Sequence, residues 1–236
     1  MPHTSVAAHT SKDFLVNPDI QFDCGFQLSP FQVTTAVAAA NNDLGILPLS
    51  LWRCIDLKST GSVVGSHLAS AIARETGAIV NPIEKGHPDV LPACAADASE
   101  SLLRNYPQGL EIKGTCGNIP KGILRKAGEN RCESLIGITW QAHHQEVERL
   151  LAIIWDFDTV THSTPGPVIT AGFYSGTLTQ ECWGAISGTT GRNTKVSGMR
   201  ASGKAKMASG TVFVLNRGGY ARRYSDLLGP LGCHFS

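Results

Sequence analysis

Two hydrophobic periods divide the chain. Between residues 29 and 77 apolar positions recur at helical spacing, and beyond residue 78 they come in short alternating or continuous runs. Ser29-Pro30 sets a capping hydroxyl before a first-turn proline and predicts a helix over 31–40, suited to packing or a dimer contact. The apolar stretch 44–57 carries Pro48, which fits the first turn of a short helix rather than its middle. Ser59-Thr60-Gly61 then precedes a longer helix over 62–76, closed by Gly77. Its stripe of Val64, Leu68, Ala71 and Ile72 includes Glu75, seven positions after Leu68, so this carboxylate either faces inward or, as a last-turn residue, bends out to water. The runs 135–140 and 150–157 are apolar on both faces and predict central strands. Further strands are predicted over 168–174 and 211–215. The glycine-, serine- and threonine-rich stretch 187–210 reads as a loop that orders on a ligand.

Charge changes this picture at one place. In Leu110-Glu111-Ile112-Lys113 the two-residue period of a strand puts Glu111 and Lys113 on one face and turns Ile112 into the core. His87-Pro88-Asp89-Val90 lies upstream, with Asp89 22 positions before Glu111. Pairing of the two segments as a hairpin would bring the carboxylates to one point, and such hard oxygen ligands suit Mg²⁺. Asp89 as a turn residue, and Glu111 and Lys113 as an exposed strand face, are the plainer readings of the same residues.

Pro88-Asp89, Glu111 and Lys113 together resemble the signature of the PD-(D/E)xK nuclease superfamily, and the chain looks most like a Type II restriction endonuclease. The resemblance implies an α/β fold, a mixed β-sheet flanked by helices as in restriction endonucleases. It implies that Asp89 and Glu111 hold Mg²⁺, that the Ile112 carbonyl adds a ligand, and that Lys113 orients the attacking water. Some families of this kind add a helix glutamate to the metal site, a role open to Glu75, with Glu84 as its competitor. The implied reaction is hydrolysis of double-stranded DNA at a specific sequence, leaving 5′-phosphate ends. A homodimer reading a symmetric site, and a DNA methyltransferase of the same specificity protecting the host, follow from the same resemblance.

With 236 residues and 42% hydrophobic content, one domain is expected. It divides into an N-terminal arm over 1–28, a helical region over 29–77, a catalytic core over 78–160, and recognition strands with a basic loop over 161–236. The formal net charge is only +1, but from residue 182 to 225 there are eight basic residues and no acid. Such a block is an electrostatic footprint for phosphates, or else a solvated basic face. Within and around it, Gln141, Arg192, Asn193, Lys195, Arg200, Lys204 and Lys206 are side-chain types that contact bases or phosphates. Thr115 and Asn118 fall in a small polar loop expected after Lys113, which either touches the DNA backbone or is only a turn. His143-His144 invites a metal reading, yet further ligands at metal spacing are missing, so His143 is assigned a DNA contact.

Seven scattered cysteines without a CxxC pair argue for reduced thiols in a cytosol, which the resemblance implies is prokaryotic, and no apolar run is long enough to span a bilayer. A GxSxG elbow and a GxxxxGK[ST] loop are both missing, which disfavours serine hydrolases and nucleoside triphosphatases. Two rivals survive: a nuclease of the same superfamily acting in repair, junction resolution or transposition, and a sequence-specific DNA-binding protein without catalysis.

Overall fold

The computed structural model describes residues 9–10, 13–117, 140–141, 145–158, 166–187, 196–217, 219, 220, 222 and 224. In chain order its elements are β1 (His9–Thr10), β2 (Phe14–Val16), α1 (Pro30–Gly45), α2 (Leu49–Cys54), α3 (Leu57–Thr76), β3 (Ile79–Val80), β4 (Val90–Leu91), α4 (Glu100–Leu103), β5 (Glu111–Cys116), β6 (Trp140–Gln141), β7 (Leu150–Asp158), β8 (Gly166–Ser175), β9 (Trp183–Ser187), β10 (Val196–Met199), α5 (Ala201–Ser209) and β11 (Thr211–Leu215). A six-stranded sheet runs β1-β2-β11-β8-β7-β5. Its pairs are antiparallel except β5 with β7, so the protein is mixed α/β.

The helical start signals act as expected. Ser29 accepts from the Gln32 amide while the Gln32 side chain reaches back to the Ser29 amide, a reciprocal cap ahead of Pro30. Pro48 stands at the N-cap of α2, one position before the first turn expected for it, and Gly77 closes α3 in the left-handed conformation with φ 73°. Helix α3 begins earlier than its sequence pattern suggests, because Asp56 caps it by accepting from the Ser59 amide at 2.7 Å. Ser59, Thr60 and Gly61 therefore lie inside the first turns. Gly61 faces Gly114 of β5: a Cβ on Gly114 would sit 3.4 Å from the Gly61 carbonyl oxygen, so these two small residues let α3 lie close against the sheet edge.

Helices α1 and α3 cover one face of the sheet, packing Val33, Val37, Leu44, Val64, Leu68 and Ile72 onto Leu151, Ile153, Phe157 and Phe213. The other face carries a second cluster, Leu150, Ala152, Ile154 and Phe173 against Trp183, Met199 and Met207 of the β9, β10 and α5 layer. Strands β7 and β8 are thus buried on both sides, as their continuous apolar runs require. A register shift between Ile154 and Trp155 opens the β7–β8 ladder, and Asn41 of α1 bonds both main-chain groups of Ile169 there.

Three sequence expectations are corrected. The described part of the stretch 187–210 is not a loop: it holds β10 and α5, ordered by burial of Met199, Met207 and Ala208. Of the strand expected over 135–140 only Trp140 is described, and Trp140–Gln141 pairs with β10 in a separate sheet ordered β6-β10-β9 rather than in the central sheet. The polar stretch after Lys113 is strand rather than loop as far as Cys116, held by parallel pairing with β7. Strands β8 and β11 of the expected recognition region are built into the same central sheet as β5 and β7. Five described cysteines, Cys24, Cys54, Cys94, Cys116 and Cys182, are free thiols. Among the described residues no helix is long and apolar enough to cross a membrane.

Candidate active site

Edge strand β5 supplies the platform. Its register with β7 sets Glu111 beside Leu150, Ile112 beside Leu151 and Lys113 beside Ala152. Neighbours in register share a sheet face. Ile112 therefore points with Leu151 toward α1 and α3, while Glu111 and Lys113 share the face of Leu150 and Ala152, where β9, β10 and α5 also pack. The alternation read from Glu111-Ile112-Lys113 is realised in the fold. Thr115 follows on the same face, half-buried.

The Asp89 segment reaches β5 by a shorter contact than a hairpin. Val90 and Leu110 exchange main-chain bonds, Val90 N to Leu110 O at 3.1 Å and Leu110 N to Val90 O at 2.8 Å. The ladder stops there, because the residues between enter a helical excursion through α4, and the regular partner of β4 is β3. Gly109 permits the approach: its φ is +140°, and a Cβ would lie 2.5 Å from the Val90 carbonyl oxygen. Asn81 fixes the segment from the other side, donating its side-chain amide to Pro88 O and Leu103 O and its main-chain amide to Asp89 O.

Asp89 Oδ2 then accepts the Ile112 amide at 2.7 Å. In a strand the N–H and C=O of one residue point to the same side. Glu111 donates its amide to Arg149 O on the β7 side. Ile112, the next residue, presents its main chain to the opposite edge, so its carbonyl lies on the Asp89 side. Glu111 is 3% exposed, and its Oε2 lies 3.2 Å from His87 Nδ1. An aspartate, a glutamate, a main-chain carbonyl and a lysine from the predicted motif are thereby brought together.

The electrostatics follow from this crowding. Burial pushes the Asp89 carboxyl up to about 7, the Glu111 charge adds to it, and the Ile112 amide and His87 oppose. Burial lowers Lys113 below the ordinary lysine value; Glu111 resists that shift and Lys58 of α3 reinforces it. The hydrogen bond to Glu111 raises His87 above the ordinary histidine value, against its burial, with further help from the charges of Glu111, Asp89 and Glu146.

Two crowded carboxylates make a site that gains by taking up a cation. Among the described residues no three His, Cys, Asp or Glu side chains form a metal-holding group. Mg²⁺ does not need one, because it is commonly held by one or two carboxylates with water and substrate phosphate oxygens completing its shell. Asp89, Glu111 and the Ile112 carbonyl fit that pattern.

Other expected site residues fall elsewhere. Glu75 does not face inward: it is exposed in the last turn of α3, just before Gly77 turns the chain, where its charge avoids the cost of unpaired burial. Glu84 is exposed as well, 4.0 Å from the Lys85 ammonium. Arg200 is exposed at the start of α5, Lys204 is half-buried, and Lys206 donates to the Thr177 carbonyl. Helix α5 covers the sheet face that carries Glu111 and Lys113, so these basic residues belong to the same side of the sheet as the site. Gln141 lies in β6, opposite Val196. Asn118, His143, Arg192, Asn193 and Lys195 lie outside the described residues.

Sequence reasoning missed His87, Asn81 and Lys58. Only His87 carried a signal, its position two residues before Asp89. No protein-family model, curated protein or solved structure matches the chain.

Proposed function

We propose that the protein is a Mg²⁺-dependent nuclease of the PD-(D/E)xK type, most like a Type II restriction endonuclease, with a restriction-endonuclease-like core built on β5, β7 and β8. The observation that carries the reading is the bond from the Ile112 amide to Asp89, which sets that carboxylate beside buried Glu111 on the strand that also presents Lys113. Asp89, Glu111 and the Ile112 carbonyl would hold the ion. When bound, it supplies Lewis-acid neutralisation of developing phosphate charge and activates water for phosphodiester hydrolysis.

The chain's own groups do the rest. Lys113 directs an ammonium to the face that carries Glu111, where it orients the attacking water and counters charge on the phosphate in the transition state. Burial around Asp89 and Glu111 thins the solvent and strengthens each of these interactions. Arg200 and Lys204, on the same side of the sheet, supply phosphate contacts to duplex DNA. A homodimer, each subunit reading one half-site, and a companion methyltransferase complete the proposal, together with a prokaryotic cytoplasmic location.

The products test the reaction class. Fragments released from duplex DNA in Mg²⁺ are expected to rejoin under DNA ligase without prior kinase treatment, as 5′-phosphate and 3′-hydroxyl ends allow. Ends that need a kinase or a 3′-phosphatase before ligation would contradict the proposed hydrolysis.

A further inference from the structure

The contact between His87 and Glu111 joins the two halves of the site. An ionised carboxylate only accepts, so in the contact of His87 Nδ1 with Glu111 Oε2, 3.2 Å long, the histidine is the donor. The His87 ring is itself held at a fixed origin. Its main-chain amide donates to Arg104 O at 3.1 Å, and its carbonyl accepts the Tyr106 amide at 2.8 Å. Next along the chain, Asn81 bonds Pro88 O at 3.1 Å and Asp89 O at 2.9 Å. One clamped tripeptide, residues 87–89, therefore touches β5 twice: its histidine meets the Glu111 side chain, and its aspartate meets the amide of the following residue, Ile112.

We infer that His87 is a positioning residue, which engages one oxygen of Glu111 and so sets the orientation of that carboxylate relative to Asp89 and the Ile112 carbonyl. The inference rests on the nuclease reading, in which those three groups hold the divalent ion. A ligand carboxylate oriented by an outer partner binds metal more tightly than one that rotates freely, and loss of such a partner typically costs about 10–100-fold in metal affinity or activity. The His87 side chain is 30% exposed, so it sits at the border between buried Glu111 and solvent rather than in the core.

Mn²⁺, whose ligand preference resembles that of Mg²⁺, serves as the probe. Its binding to the free protein is measured by electron paramagnetic resonance for wild type, His87→Leu and His87→Asn, with a thermal melt to establish folding. Leucine fills much of the ring's space without a donor, whereas the asparagine Nδ2 can donate near the position of Nδ1. His87→Leu is expected to bind Mn²⁺ about 10–100-fold more weakly. It should raise the Mg²⁺ concentration for half-maximal cleavage in proportion and leave the rate at saturating metal much less affected. His87→Asn should recover most of the affinity. Wild-type Mn²⁺ affinity in a folded His87→Leu protein would overturn the positioning role and leave the nuclease reading standing. Equal weakening in both variants would also overturn it, since the donor then makes no difference. A wild-type protein that binds no Mn²⁺ would overturn the nuclease reading, and this inference with it.

Discussion

Lys113→Ala and Asp89→Ala are each expected to lower the rate of DNA cleavage by roughly 10²–10⁴-fold while leaving DNA affinity close to that of wild type. The loss corresponds to about 3–5 kcal/mol of transition-state stabilisation. Lys113 is half-buried beside Glu111, on the same face and two residues along β5, and its burial lowers its affinity for a proton. An ammonium in such surroundings is little screened by water, so its attraction for charge developing on a phosphate exceeds that of a surface lysine. Neither residue forms part of the exposed basic surface at Arg200, so binding in Ca²⁺ or without metal should persist in both variants. Gel-shift affinities and single-turnover rates on the same duplex separate the two effects. Full cleavage by either variant would remove that residue from the site, and equal loss of binding and cleavage would make its role structural.

Metal-free protein is expected to lose stability as pH rises from about 4 to about 7, and Asp89→Asn to remove much of that loss. The folded protein holds the Asp89 proton up to about pH 7, whereas an unfolded chain releases it near 3.8. A carboxyl whose folded value is raised contributes stability that is fully present below the unfolded value and disappears as pH passes the folded one. His87, raised by its Glu111 partner, acts with the same sign: its contribution is complete below about 6.5 and is lost above its higher folded value. Displacement of Asp89 alone is worth a few kcal/mol, or several degrees in a melt for a chain of this size. Asparagine keeps an oxygen to accept the Ile112 amide but carries no charge to oppose Glu111. The variant should therefore melt above wild type at pH 8 in EDTA. Mg²⁺ should raise the wild-type transition and move that of the variant much less. A wild-type melting temperature independent of pH, or an Asp89→Asn slope equal to that of wild type, would show that the two carboxylates do not compete as their burial implies.

Much of what positions the site is written in local sequence. The Ser29-Pro30 cap, the Gly77 stop and the alternation across Glu111, Ile112 and Lys113 are short-range signals, and each is realised. So are the continuous apolar runs that became β7 and β8, because burial on both faces leaves no polar alternation. What escaped is non-local. Gly203 looks like a breaker in a polar stretch, yet in α5 a Cβ there would lie 2.6 Å from the Met199 side chain, so glycine is what lets the helix pack. Tertiary packing, not propensity, made that segment helical. Glu75 shares a helical face with Leu68 and stands in the last turn before Gly77, but periodicity does not reveal that this end of the face lies exposed. Asp89 and Glu111 were legible as a pair from their motif. The bond that joins Asp89 to Ile112 and the contact of His87 with Glu111 required three-dimensional closure of a segment containing α4.

On the proposed function, Asp89, Glu111 and Lys113 form a metal-dependent DNA-cutting site. Incubation of the purified protein with a long natural duplex DNA, in Mg²⁺ and in EDTA, with Glu111→Ala alongside, tests it most directly. Discrete fragments from wild type in Mg²⁺ alone are the expected result, and they would map the recognition sequence. Intact DNA in every lane, or the same fragments from Glu111→Ala, would contradict it.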